Sequence, residues 1–309
     1  MNSPLALPPL VTPTALSPKA FVTLLLLACL FAGNHVAARI AFDHGVNVVT
    51  AVAVRSLITA VVVSLLVWGQ RVQWRATPRH KRFMLVIGLL VSVQSVCLYA
   101  AVARLPVGLA LLVFNSYPIW ATLAARAIYG RKPERAALLA MPVILIGLAL
   151  ALNVVQLIGS PDARAQWSAS GPGIGFALGA GVSFGLVLAL TQHEVADLDG
   201  RVRSAFTMGM VGVLGALAAF GTDGWRWPDA AAGWGGLVAL TVLYGTAFTA
   251  VFTLLPKLGA VSNSPILNVE PVAALLLAWL MLGQVVSPLQ FAGALIVVGA
   301  VMALGLRKK

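Results

Sequence analysis

Few side chains in this 309-residue sequence can do chemistry, and the ones that can lie where polar groups are costly. Glu270 is the single acidic residue, of nine, deep inside a long apolar run. A charge at the centre of a bilayer costs at least ~2.5 kcal/mol on insertion scales unless it faces protein or water. A carboxyl held there can carry a proton or accept an ammonium group, and the bland alternative is a protonated structural carboxyl. Asn263, seven residues earlier, falls within about 20° of it on a continuous helix. Phe31, Asn34, His35, Ala38 and Arg39 recur at i, i+3, i+4, i+7 and i+8, one helical face. An imidazole can take up or release a proton, so His35 is a candidate for substrate or proton contact as well as a neutral hydrogen-bonding group. Ser92, Ser95 and Tyr99, with Gln94 at the edge of that face, and Thr241, Tyr244, Phe248 and Phe252 form two further stripes. Such stripes pack more often than they bind. Their convergence with Asn34, His35 and Glu270 at similar depth, joined by Ser183, points to the wall of a binding cavity.

Other residues read as structural. Arg55, some eight residues into its apolar run, is assigned to packing or gating, and Arg39 to anchoring near the outer interface, where its head can snorkel. The chain lacks G-x-x-x-x-G-K-[ST], H-E-x-x-H and G-x-S-x-G, and Cys29 and Cys97 have no metal-ligand spacing. No catalytic centre, metal site or cofactor is therefore expected.

The elements that must position these groups are membrane spans. The composition is 60% hydrophobic and 10% charged, with a mean hydropathy of +0.95, beyond what a water-soluble domain of this length sustains. Runs of roughly 20 apolar residues predict ten spans near 20–41, 47–69, 82–103, 106–128, 136–156, 172–192, 203–221, 234–256, 259–282 and 288–306. Residues 1–18 hold five prolines and no basic residue, and predict a disordered cytoplasmic tail; residues 307–309 form a basic cytoplasmic end. Sixteen of the 21 Lys and Arg residues fall on the N-terminal side of the membrane, three (Arg104, Arg164, Arg226) on the other, and Arg39 and Arg55 lie within spans. The positive-inside bias then places both termini in the cytoplasm. The net charge of +12 reflects this topology and not a nucleic-acid partner, because the basic residues are scattered between apolar runs.

A shift of 153 positions sets Leu105 on Leu258, Asn115 on Asn268, Pro118 on Pro271, Gly130 on Gly283 and Phe31 on Phe184. This predicts an all-α membrane protein of two inverted five-helix repeats, residues 19–160 and 161–306, since an odd span number sends the second half in from the opposite side. Asn115, Pro118, Asn268 and Pro271, present in both halves, read as kinking and packing residues. Glu270 falls opposite Tyr117, a loss of symmetry that a chemically asymmetric ligand requires, so Tyr117 joins the candidate wall.

The two N-x-x-P signatures, the basic segment after span two and the exits at Gly130-Arg131-Lys132 and Gly283-Gln284 resemble the drug/metabolite transporter superfamily. The likeness runs over about residues 19–306 and is nearest to EamA-type exporters, which include bacterial aromatic amino-acid exporters. It implies a multi-pass carrier of the bacterial inner membrane that exports small metabolites through a cavity between the halves. With the candidate residues, it favours amino acids with aromatic and other apolar side chains over sugars, and over phosphate esters, which would call for a midplane Arg or Lys. Proton coupling through Glu270 or His35 and facilitated diffusion both stay open. The rivals are an exporter of another metabolite class, an intramembrane enzyme acting on a lipid-linked substrate, and a receptor or light sensor.

Overall fold

The computed structural model describes residues 18–72, 76–131, 135–152, 163–221, 224–254 and 267–306. Asn263, the Pro-rich start and the basic end lie outside them. The described residues form eleven helices and no strand: α1 (Pro18–Asp43), α2 (Val48–Gly69), α3 (Pro78–Val102), α4 (Val107–Phe114), α5 (Tyr117–Tyr129), α6 (Arg135–Ala151), α7 (Ala163–Glu194), α8 (Gly200–Gly221), α9 (Ala231–Leu254), α10 (Glu270–Leu282) and α11 (Pro288–Leu306). Seven helical stretches are long and apolar enough to cross a membrane, with α4 and α5 together counting as one. Three shorter apolar stretches, Leu138–Ala151, Leu267–Leu282 and Pro288–Ala303, complete the set.

Local sequence explains where these helices begin and end. Asn47 caps α2 by accepting from Thr50 N at 3.0 Å. α3 and α11 open on capping boxes, Thr77 with His80 and Ser287 with Gln290, each followed by proline in the first turn, where a missing N–H costs nothing. Gly130 (φ 65°) and Gly283 (φ 62°) close α5 and α10 in the left-handed conformation that glycine adopts without a Cβ penalty. α7 starts at Ala163, nine residues before the expected span, and runs through Pro172. A proline inside a membrane helix is tolerated because neighbouring groups satisfy the freed backbone, so the Gly-Pro-Gly sequence was no boundary.

The most extensive packing joins the two halves of the chain: α2 on α8, α3 on α7, α1 on α9 and α6 on α11. α1 also meets α10 as α7 meets α4 and α5, and α3 meets α8 as α9 meets α2. The pattern is unchanged when the halves are exchanged. Glycine permits the closest of these approaches. A Cβ on Gly293 would lie 2.5 Å from Ala151 N and 2.6 Å from Gly147 O, so α6 and α11 pack backbone to backbone, as small residues allow in membranes.

Four apolar clusters occur among the described residues, and the two largest bear on the site. One gathers Leu111, Leu112, Ile144, Leu275 and Val297 from α4, α6, α10 and α11; the other gathers Val52, Met208, Val211 and Leu240 around Tyr99. Outward-facing Leu139, Leu217, Phe220 and Leu280 are exposed, as a lipid-facing surface requires. Near the α8–α9 connection, Trp225, Trp227 and Trp234 stack in a ladder with ring centroids 5.8 and 5.9 Å apart, the position of an interfacial aromatic belt.

Candidate functional site

Both N-x-x-P segments interrupt their spans. Pro118 and Pro271 have no N–H to give to the carbonyl four residues back. α4 therefore stops at Phe114 and α5 restarts at Tyr117, while a short 3₁₀ turn over residues 267–269 precedes α10, which starts at Glu270. Tyr117 and Glu270 are thus the first residues of two half-helices. Asn115 donates its amide to Leu111 O at 3.0 Å and stabilises the end of α4. Asn268 does something different: its Oδ1 accepts from Tyr117 Oη at 2.8 Å, tying one break to the other across the halves. A continuous span nine would turn Asn268 away from Glu270. The 3₁₀ turn places Asn268 outside the continuous helix of α10, where it reaches Tyr117.

Beside these breaks lies a largely buried polar cluster. Glu270 Oε1 is 3.2 Å from His35 Nε2, with side-chain exposures of 21% and 6%. The preceding residue on α1, Asn34, accepts from Tyr99 Oη at 2.7 Å, and His35 lies 5.6 Å from the Tyr99 ring. Glu270 is near enough to Tyr117 and Tyr244 to interact with both electrostatically. Tyr244 stacks on Phe248 (5.4 Å, 21°), meets Phe31 edge-on (6.3 Å, 77°) and directs its hydroxyl at Met208 Sδ, 3.4 Å away. α1, α3, α8, α9 and α10 therefore all contribute, and the set includes both halves of the chain.

Arg55 occupies the middle of this cluster. Sequence reading set it aside as a packing or gating residue and found no midplane Arg or Lys to meet an anion. The structure places its guanidinium between two aromatic faces, 4.3 Å from the Tyr99 ring centroid and 4.0 Å from that of Tyr244, with the residue only 3% exposed. The local sequence could not reveal this, because Tyr99 on α3 and Tyr244 on α9 reach α2 only through tertiary packing. Each cation–π contact contributes about 0.5–2 kcal/mol, against a penalty of several kcal/mol for removing an ion from water. The two rings offset this penalty only in part.

Other candidates are placed less centrally. Gln94 accepts from neighbouring Ser95 at 3.5 Å and bonds no member of the cluster among the described residues. Ser92 and Thr241 donate to carbonyls one turn back in their own helices, Gly88 O and Leu237 O, which is how hydroxyls are satisfied inside membrane helices. Tyr117 sits in a second aromatic group with Phe114 and Phe184 (5.6 and 5.0 Å), which adjoins the site through Glu270. Phe114, Phe184 and Met208 were not singled out from sequence, since apolar residues in apolar spans carry no signal of their own.

Ion pairs elsewhere bind helix ends. Arg39 holds Asp43 at 2.9 Å and donates to the carbonyls of Val102, Ala103 and Leu105, sealing α1 against the α3–α4 connection. At the opposite end of α3, Arg79 pairs with Glu194 at 2.6 Å, and Tyr129 donates to the same carboxylate at 2.8 Å. A groove of about 880 Å³ lined by Trp68, Arg71 and Phe206 opens at that end of α2 and α8, remote from the buried cluster. No group of His, Cys, Asp and Glu suited to a metal occurs among the described residues.

Comparison with known proteins agrees with this architecture. The sequence model of the EamA-like transporter family matches residues 19–153 and 171–306. Among 18 solved chains that match, one crystal structure superposes with a TM-score of 0.60 at 18% identity, covering 95% of this chain and 100% of the other, which shows a shared fold. No curated protein matches.

Proposed function

We propose that this protein, which belongs to the EamA-like transporter family, exports small amphipathic metabolites, amino acids with aromatic or other apolar side chains above all. It does so across the bacterial cytoplasmic membrane by alternating access. Family membership makes it a membrane transporter; the substrate class, direction and mechanism are our reading. The observation that carries it is the largely buried cluster around Glu270. The lining divides by chemical type between a few hydrogen-bonding groups, Asn34, His35 and Glu270, and the adjoining aromatic side chains of Tyr99, Tyr244 and Phe248. A zwitterion with an apolar side chain needs that division.

In this reading ten spans form two inverted five-span halves with both termini in the cytoplasm, and the exchangeable pairing of α1–α9 with α3–α7 supports it. Two packings of similar energy then open the same site to either side. Glu270 receives the substrate ammonium or the coupling proton, and His35, 3.2 Å away, holds the carboxylate when substrate is absent. The half-helices beginning at Tyr117 and Glu270 line the site, and Asn115, Pro118, Asn268 and Pro271 set their breaks. The test is counterflow in proteoliposomes loaded with a metabolite panel. Exchange of phenylalanine, tryptophan or leucine is expected; exchange confined to sugars or phosphate esters would refute the amino-acid reading.

A further inference from the structure

The buried groups around Tyr99 contain more donors than acceptors. Asn34 uses its Oδ1 on Tyr99, which leaves Nδ2 without a partner. Arg55 Nε likewise has no partner, although the residue is 3% exposed. Both groups flank one tyrosine, and neither is met by a carboxylate among the described residues. The sequence offers no other intramembrane acid, because every acidic residue except Glu270 falls at a span end or in a connection. Glu270 is itself engaged by His35. An arginine Nε–H and a buried amide N–H that share a wall and lack an acceptor describe a receptor for an anion that the protein does not supply.

We propose that Arg55, supported by Asn34 Nδ2, binds the carboxylate of the transported molecule and makes that carboxylate obligatory. The assignment deepens the function proposed above and rests on it. Tyr99 and Tyr244 hold the guanidinium between their faces, so its N–H edge stays available to a planar anion, which arginine grips in two parallel hydrogen bonds. Arg55 and Asn34 then take the anionic end of a zwitterion while Glu270 takes the cationic end. The Thr59 hydroxyl, bonded to Arg55 O at 2.7 Å, fixes the α2 backbone beneath.

The test is counterflow of labelled phenylalanine in proteoliposomes against four competitors: phenylalanine, phenylalaninamide, 2-phenylethylamine and 3-phenylpropionate. In the wild type, phenylalaninamide and 2-phenylethylamine should compete at least about tenfold more weakly than phenylalanine. Arg55→Gln should abolish that discrimination, and Arg55→Lys, which keeps the charge but not the fork, should restore part of it. Equal competition by the acid and its amide in the wild type overturns the assignment while leaving amino-acid transport intact, and that comparison needs no variant to fold. Exchange of 3-phenylpropionate without exchange of phenylalanine would instead overturn the amino-acid reading and leave the Arg55 receptor standing.

Discussion

Replacing Glu270 with glutamine changes one atom and one charge at the point where the two half-helices and α1 meet. The amide keeps a carbonyl oxygen for His35 Nε2, now 3.2 Å from the carboxylate, so the helix packing should survive. What disappears is the carboxyl group, the acceptor that an ammonium group or a coupling proton needs. A hydrogen bond to a charged group contributes about 1.5–3 kcal/mol, and each 1.4 kcal/mol is tenfold, so transport should fall by about tenfold to a hundredfold. Two assays separate the possible roles. Counterflow at equal pH reports substrate contact, whereas accumulation driven by an imposed pH gradient reports proton carriage. If Glu270 receives the substrate ammonium, both collapse. If it carries only the coupling proton, counterflow persists and driven accumulation is lost. Wild-type rates in both assays, from a variant as monodisperse and heat-resistant as its parent, would refute the reasoning and make Glu270 a structural carboxyl.

Three further outcomes are expected. With Cys29 and Cys97 replaced by serine, Arg104→Cys and Asp229→Cys should react with an impermeant thiol reagent in intact cells, and Arg79→Cys and Arg131→Cys only after permeabilisation; labelling of Arg79→Cys in intact cells would overturn the inverted topology. Tyr244→Ala, which removes one of the two rings against Arg55 and the stack on Phe248, should weaken competition by tryptophan about 2- to 10-fold more than competition by threonine, from the ~0.5–1.5 kcal/mol of an aromatic pair. An unchanged preference order would remove α9 from the site. Gly293→Val should lower the melting temperature through ~1–3 kcal/mol of overpacking, because its Cβ would meet the α6 backbone at Ala151 N and Gly147 O; an unaltered melting curve would show that α6 and α11 are free to separate.

Much of this architecture is legible in the sequence because its signals are local. Span positions follow from hydropathy, the two breaks from N-x-x-P and the two half-helix ends from Gly130 and Gly283, each paired by the same 153-residue shift. Asn34, His35, Tyr99, Tyr244, Phe248 and Glu270 share one face or one stripe each, and packing brings those faces together. Helical-wheel reasoning fails where the helix itself stops. Asn268 is two residues from Glu270 but lies in a 3₁₀ turn, so the 100° step between residues does not apply. Arg55, read as a packing or gating residue, gives no local signal of its neighbours: whether an in-span arginine finds a carboxylate or a pair of rings depends on partners 44 and 189 positions away.

On the function proposed above, the breaks give a near-symmetric scaffold two unlike groups with which to meet an asymmetric molecule. At equivalent positions, the first residue of a half-helix, one half presents a tyrosine and the other a glutamate. The tyrosine is spent within the protein, on Asn268 of the opposite break. The glutamate is held by a histidine, a partner that an ammonium group can displace. On the function proposed above, backbone symmetry serves two states of similar energy, and side-chain asymmetry serves the two unlike ends of the substrate. A variant that restores side-chain symmetry, Glu270→Tyr, should therefore keep the fold's exchangeable helix pairing and lose recognition of the ammonium end, read as weakened competition by phenylalanine with 3-phenylpropionate unaffected. Retained discrimination between those two ligands would place the ammonium site elsewhere.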